Sequence, residues 1–165
     1  MNVKSIGPLQ PEDIERIVLP ELRGHVFHVT TEQGFHGIQA SGAVTANTAG
    51  LLPFTCSQSA VSYCRKNGCV SLIDLRDISD ENLHDGIRKY YFVQPFRSSR
   101  IVFLILKSTG YPGVISWEVS RSEGVGAMIV PYLEAGYQDE IPLEHIELAL
   151  IVDVASNQAN ALSLR

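Results

Sequence analysis

"IVFLIL", residues 101–106, constrains this chain more than any other stretch. Six consecutive apolar residues are too few to cross a bilayer and too apolar to lie in water, so they read as a buried strand. "RIVFLILK" is one of five strand candidates after residue 68, with "CVSLIDLRD", "KYYFVQP", "GAMIVPYL" and "IELALIVDV". Helical patterning gathers in the first half instead. Between Pro8 and Leu22, Ile14, Ile17 and Val18 are spaced for one helical face. Helices early and strands late favour an α+β domain with a largely antiparallel sheet over a doubly wound parallel one.

The 165 residues suit a single domain, with residues 1–23 as a helical extension and 155–165 as a tail. Hydrophobic residues make up 45% and charged residues 19%, an ordinary globular balance. The N-terminus lacks the basic-then-apolar pattern of a signal peptide. Cys56, Cys64 and Cys69 are odd in number and include no CxxC pair. They suit free thiols in a reducing cytoplasm better than a disulfide framework or a zinc site. A net charge of −5 argues against a dedicated nucleic-acid binder, although Arg65-Lys66, Arg88-Lys89 and Arg97 with Arg100 form small basic clusters.

The segment "GHVFHVTTEQGFHGIQASG" sets His28 inside an apolar strand, followed by a short helix. Thr30 and Gln33 form a capping box, Phe35 and Ile38 give the helix a buried side, and Gly42 stops it. His28 and Thr30 are two residues apart, so a strand points both to one face. The second unit, "GLLPFTCSQSAVSYCRKNGC", offers Ser57 as a helix cap, a helix through Lys66 and Gly68 as its terminator. Tyr63 on that helix carries a ring suited to stacking and a hydroxyl suited to a ribose or an amide. Glu134 follows the apolar "GAMIVPYL" run and precedes a proline-bearing turn, with Glu118, Glu123 and Glu140 as competing carboxylates. Each of these residues also has a plain structural reading: a core histidine, a packed tyrosine, a surface carboxylate. Phosphate loops, a GxSxG elbow and HExxH are missing, and "EGVGA" is a lone GxG with no following helix.

Three of these segments, in this order, resemble the ADP-ribosyltransferase fold. "FHVTTEQGFHGIQASGAV" is similar to that family's opening strand and helix. "FTCSQSAVSYCRKNGCVSLIDLR" resembles its middle segment, and "YLEAGYQDEIPLEHIELALIVD" its closing one. The closing ExE pair of the arginine-specific class is missing, and the residue order is closer to the His-Tyr-Glu class. The last segment is shared in outline with DNA-thymidine ADP-ribosylating toxins and RNA 2′-phosphotransferases. The toxins' glutamate opens the strand before "vP", where this chain has Ala127 and Met128.

The resemblance implies two small, mostly antiparallel sheets forming a cleft that binds NAD as a substrate, with no metal. His28 and Thr30 would hold the adenosine ribose and nicotinamide end, Tyr63 would stack on nicotinamide with Ser57 beside it, and Glu134 would face the ribose whose bond breaks. The activity implied is transfer of ADP-ribose to a protein, nucleic-acid or small acceptor by a cytoplasmic enzyme; a toxin-type role held in check by an antitoxin is an option the resemblance leaves open. Two other readings stay open: a non-catalytic binding or neutralising module of the same fold, and an RNA 2′-phosphotransferase-like enzyme.

Overall fold

A computed structural model describes residues 1–50, 62–89, 99–123 and 130–155. Among them the chain is α+β. The strands are β1 (Asn2–Leu9), β2 (Val26–Thr31), β3 (Ala43–Thr45), β4 (Cys69–Asp74), β5 (Arg100–Leu106), β6 (Val114–Ile115), β7 (Glu134–Gln138), β8 (Glu140–Pro142) and β9 (Ile146–Val154). The helices are α1 (Pro11–Leu22), α2 (Glu32–Ser41), α3 (Tyr63–Lys66), α4 (Asp80–Lys89) and α5 (Trp117–Glu123). Seven strands form one sheet in the order β1-β9-β5-β2-β4-β7-β6, and β3 and β8 form a separate antiparallel ribbon. The β1–β9 pair is parallel and the other described pairs are antiparallel.

The unbroken apolar run of β5 has its reason in this order. It lies between β9 and β2, and Ile101 to Leu106 are all 2% exposed or less. Ile101, Phe103 and Ile105 face a core shared with Ile14, Val18 and Leu22 of α1 and with Leu83 and Ile87 of α4. Val102, Leu104 and Leu106 face the opposite core, shared with Phe35 of α2 and with Val44 and Ile141 of the ribbon. A strand with no solvent face has no reason to alternate. Each such side chain contributes roughly 1.5–3 kcal/mol on burial, so β5 anchors both layers.

Four sequence expectations need correction. In place of two small sheets there is one seven-stranded sheet and a two-stranded ribbon, both mostly antiparallel as expected. The segment before α1 is not helical: residues 2–9 run as an edge strand along β9. Its short alternation of small and polar residues carries little helical or strand periodicity, and the edge of β9 decides it. The cap of α2 is Thr31 rather than Thr30, with Thr31 Oγ1 accepting from Gly34 N at 3.1 Å. "GAMIVPYL" does not end as a strand, because Val130–Leu133 turn and β7 opens only at Glu134. "KYYFVQP" lies, after Lys89, outside the described residues, as do Ser57 and the tail beyond Ala155. Gly42 does end α2, at φ 83 in the left-handed region that glycine enters without strain.

Helix α4 approaches the turn before β7 so closely that a Cβ added to Gly86 would lie 2.2 Å from Leu133 Cδ1 and 2.6 Å from its Cγ. Leu133 is fully buried and cannot swing away. Gly86→Ala therefore sets a helix-propensity gain of about 1 kcal/mol against overpacking of roughly 1–3 kcal/mol. The expected net effect is a melting temperature lower by a few degrees, at about 2–4 °C per kcal/mol for a chain of this size. A thermal melt followed by circular dichroism checks it, and an unchanged or raised midpoint would mean the contact is slack.

Candidate active site

The sheet is two well-paired blocks joined by a short seam. Strand β2 pairs with β5 from Phe27 to Thr31, and β4 pairs with β7 from Cys69 to Ile73. Between β2 and β4 the ladder holds Val26–Asp74 and Phe27–Ile73, and just before β2 Leu75 N donates to the His25 carbonyl and Gly24 N to the Leu75 carbonyl. Beyond Phe27 and Ile73 each strand continues along its other neighbour, and the seam is no longer laddered. Backbone groups of an inner strand still need partners there.

Ser71 stands at this opening. It lies mid-strand in an inner position of the sheet, yet its side chain is exposed while Val70, Leu72 and Ile73 beside it are buried. Its carbonyl oxygen is 3.0 Å from His28 Nδ1. A carbonyl can only accept, so Nδ1 carries the proton, and in the neutral ring Nε2 is left as an acceptor. Burial lowers the His28 pKa from 6.5, and the bond to Ser71 opposes that shift with a smaller effect. The ring is half-buried and stays neutral at neutral pH. The histidine thus answers both of its readings, with one nitrogen held by backbone and the other left as an acceptor.

The Ser71 hydroxyl donates to Glu134 Oε1 at 3.3 Å, and Val130 N donates to Oε2 at 3.1 Å. Glu134 is 5% exposed and heads β7, paired with Ile73. A carboxylate this enclosed is costly unless hydrogen-bonded, and both oxygens are. Cys64 lies against the same group: its thiol is 3.7 Å from the Ala135 carbonyl, and burial, with Glu134 nearby, pushes its pKa far up. It is an unreactive thiol.

The register does not gather all the expected residues on one face. Phe27, Ile73 and Glu134 are directly opposite one another across neighbouring strands, so they share a face. His28 and Thr30, one step out of phase, belong to the other face with Leu104 and Val102. Ser71 connects the two sides, through its carbonyl to His28 and its hydroxyl to Glu134. Thr30 turns its hydroxyl toward the first turn of α2, where a Cβ on Gly34 would lie 2.2 Å from Oγ1. Tyr63 is 2% exposed and packs with Cys64 and Cys69, so its ring offers no open face. Its hydroxyl donates to Glu123 Oε2 at 2.5 Å, and that bond together with burial pushes its pKa up to about 12. No hydrogen bond joins His28 to Tyr63.

A cavity of about 230 Å³ opens beside Glu134, lined also by Asp74, Arg76, Asn82, Trp117 and Tyr132 among others. The Trp117 and Tyr132 rings are 4.6 Å apart at 43°. Tyr132 holds φ 65, a left-handed backbone that a bulky residue adopts at a cost of order 1–3 kcal/mol. Sequence reasoning missed Ser71, Trp117 and Tyr132. Trp117 could have been flagged as the one tryptophan of the chain; Ser71 becomes distinctive only once the ladder ends beside it.

Among the described residues no three His, Cys, Asp or Glu side chains converge to hold a metal, and no helix is long and apolar enough to cross a membrane. Compared with known protein families, with curated proteins and with solved structures, the chain shows no match.

His28 ties the site to pH. Its folded pKa lies below the unfolded value of 6.5, so the unfolded chain binds the extra proton first as pH falls. Stability from this group is intact above that value and declines below it. The wild type should lose more melting temperature than His28→Gln between about pH 7.5 and about pH 5.5. Equal losses would show that the ring is not held neutral.

Proposed function

We propose that this chain is an ADP-ribosyltransferase-like enzyme that cleaves the nicotinamide–ribose bond of NAD and passes ADP-ribose to an acceptor. The observation that carries the reading is an enclosed carboxylate, Glu134, hydrogen-bonded to an exposed serine where two inner strands part. Departure of nicotinamide leaves an oxocarbenium-like ribose, and one fixed carboxylate in a low-dielectric wall stabilises that charge as it develops. The same carboxylate accepts the proton of the attacking group. Nothing in this chemistry requires a metal. His28 Nε2, as an acceptor at the seam, suits a ribose hydroxyl. Val130 N keeps Glu134 aimed, and the Ser71 hydroxyl can turn from donor to acceptor as the substrate requires.

A binding module of the same fold is the second reading. The enclosed Tyr63 and the position of His28 on the face opposite Glu134 favour it, because a stacking ring and a ribose ligand are then not assembled on one wall.

Glu134→Gln separates the two. Glutamine can keep its oxygen on Val130 N and turn its amide toward the Ser71 hydroxyl, so the fold is retained. In an enzyme, nicotinamide release should fall by about a hundredfold or more while NAD affinity is nearly unchanged, the mark of an interaction made in the transition state. Glu140→Gln, on the exposed end of β8, is the control and should change neither. The readouts are nicotinamide release with and without lysate as acceptor, and NAD affinity by calorimetry. Full activity in Glu134→Gln removes the catalytic role, and a wild type that binds NAD without cleaving it supports the module.

A further inference from the structure

The sheet ends differently on its two sides. At one end β6 covers only Val114 and Ile115, with α5 starting at Trp117. At the other, β1 runs from Asn2 to Leu9 and is laddered to β9 alone. Its outer row of N–H and C=O groups has no strand beside it among the described residues. An open edge of this length is a template for another strand, and proteins blunt such edges with charges, prolines or bulges. In β1 the register shift and Pro8 come only after Ile6, so Asn2 to Ile6 stay in straight register. Asn2 to Ser5 are all exposed, and Val3, at 57%, is the most exposed large apolar side chain among the described residues. Val3 and Ser5 share the sheet face of Ala149 and Ile151, whereas Asn2, Lys4 and Ile6 share that of Leu148, Leu150 and Val152. Lys4, the one charge of the strand, reaches α1, where its Nζ donates to Glu21 Oε2 at 2.5 Å.

We propose that β1 is a dimerisation edge whose occupant is β1 of a second copy, paired antiparallel across a two-fold axis so that two seven-stranded sheets become one. A two-fold perpendicular to the sheet keeps like faces together, so the residues that meet share a face. The axis that pairs all of Asn2 to Ile6 passes through Lys4, with Val3 opposite Ser5 of the other copy and Asn2 opposite Ile6. Val3 is then covered, and each Lys4 arrives neutralised by its own Glu21, so no bare like charges meet at the axis. A foreign peptide gains specificity from side-chain pockets along an edge, and exposed Asn2 to Ser5 offer none. What they offer is a row of backbone groups, matched in length and pattern by the same strand of another copy. One strand pair buries less than the roughly 1,200–2,000 Å² of a standard interface, so the dimer is a weak, micromolar one. Strand β7 lies five strand spacings from this edge, about 24 Å, and the dimer is independent of the function proposed above.

Sedimentation velocity on the full, untagged chain tests the dimer. The wild type should shift from monomer toward dimer between about 1 and about 300 μM. Val3→Lys with Ser5→Lys sets like charges opposite each other on both sides of the axis, and Val3→Glu with Ser5→Glu does so with the other sign. Each double variant alone should dimerise at least about tenfold more weakly, and an equimolar mixture of the two should recover the dimer to at least the wild-type extent. Both variants should melt close to the wild-type monomer, because Val3 and Ser5 are exposed. Hydrogen exchange at residues 2–6 should slow as the wild-type concentration rises, while β7 exchanges as before. The inference is overturned if the wild type stays monomeric across this range, if the charge variants associate as the wild type does, or if their mixture stays monomeric. It is equally overturned if a peptide of residues 2–9 protects those amides in a chain that never dimerises, since the edge then takes a free strand and not a second copy.

Discussion

The structure depends on how briefly β2 and β4 are joined. Backbone pairing of residues 24–27 with residues 73–75, including the laddered pairs Val26–Asp74 and Phe27–Ile73, ties the block β1-β9-β5-β2 to the block β4-β7-β6. Had the ladder continued, Ser71 would face another strand and its carbonyl would be satisfied by backbone. Because it stops, the carbonyl needs a donor, and His28 Nδ1 supplies it. The hydroxyl on the other side of the same residue reaches Glu134. An interrupted ladder thereby sets a histidine, a serine and a carboxylate along one opening, although the first and last belong to opposite faces of the sheet.

The seam can stay open because both cores run across it, with Ile73 and Leu133 packed with Phe103 and Ile105 in one and Leu72 and Ala135 with Val102 and Leu104 in the other. Strand β5 is buried on both faces and pins β2 and β9, while Leu133 and the turn into β7 are pinned by α4 at Gly86. Dense packing on both sides of a sparsely paired line confines polar groups to that line, where they are reached by solvent without a cost to the cores. The same division explains the charge of the cavity. Of the carboxylates in its wall, Asp74 ends β4, Asp77 lies in the loop that follows, Glu118 is in the first turn of α5, and only Glu134 is buried.

Much of this was legible in the sequence. Strands β2, β4, β5 and β9 follow from β-branched and apolar runs, and α2 from its apolar spacing and its glycine stop. The failures have physical causes. Two adjacent threonines are chemically equivalent caps, and the chain direction leaving β2 chose Thr31. Helix α4, "DENLHDGIRK", is mostly polar and shows its apolar side only through Leu83 and Ile87. Strand β1 has no pattern of its own, since an edge strand beside β9 needs only hydrogen bonds. Tyr63 looked like a free stacking ring because its sequence neighbours are polar, whereas Cys69, Ile115 and Trp117 close over it from elsewhere in the chain.

By itself the sequence determined the elements whose residues have one good environment: an all-apolar strand must be buried, a capped amphipathic run ending in glycine must be a short helix, and Glu134 must be paired if it is enclosed. Only the tertiary structure decided where β2 stops pairing with β4, which face each strand residue takes, and that Trp117 and Tyr132 meet beside Glu134. Those depend on register between strands distant in the chain, and a shift of one residue would have turned His28 and Glu134 to other neighbours.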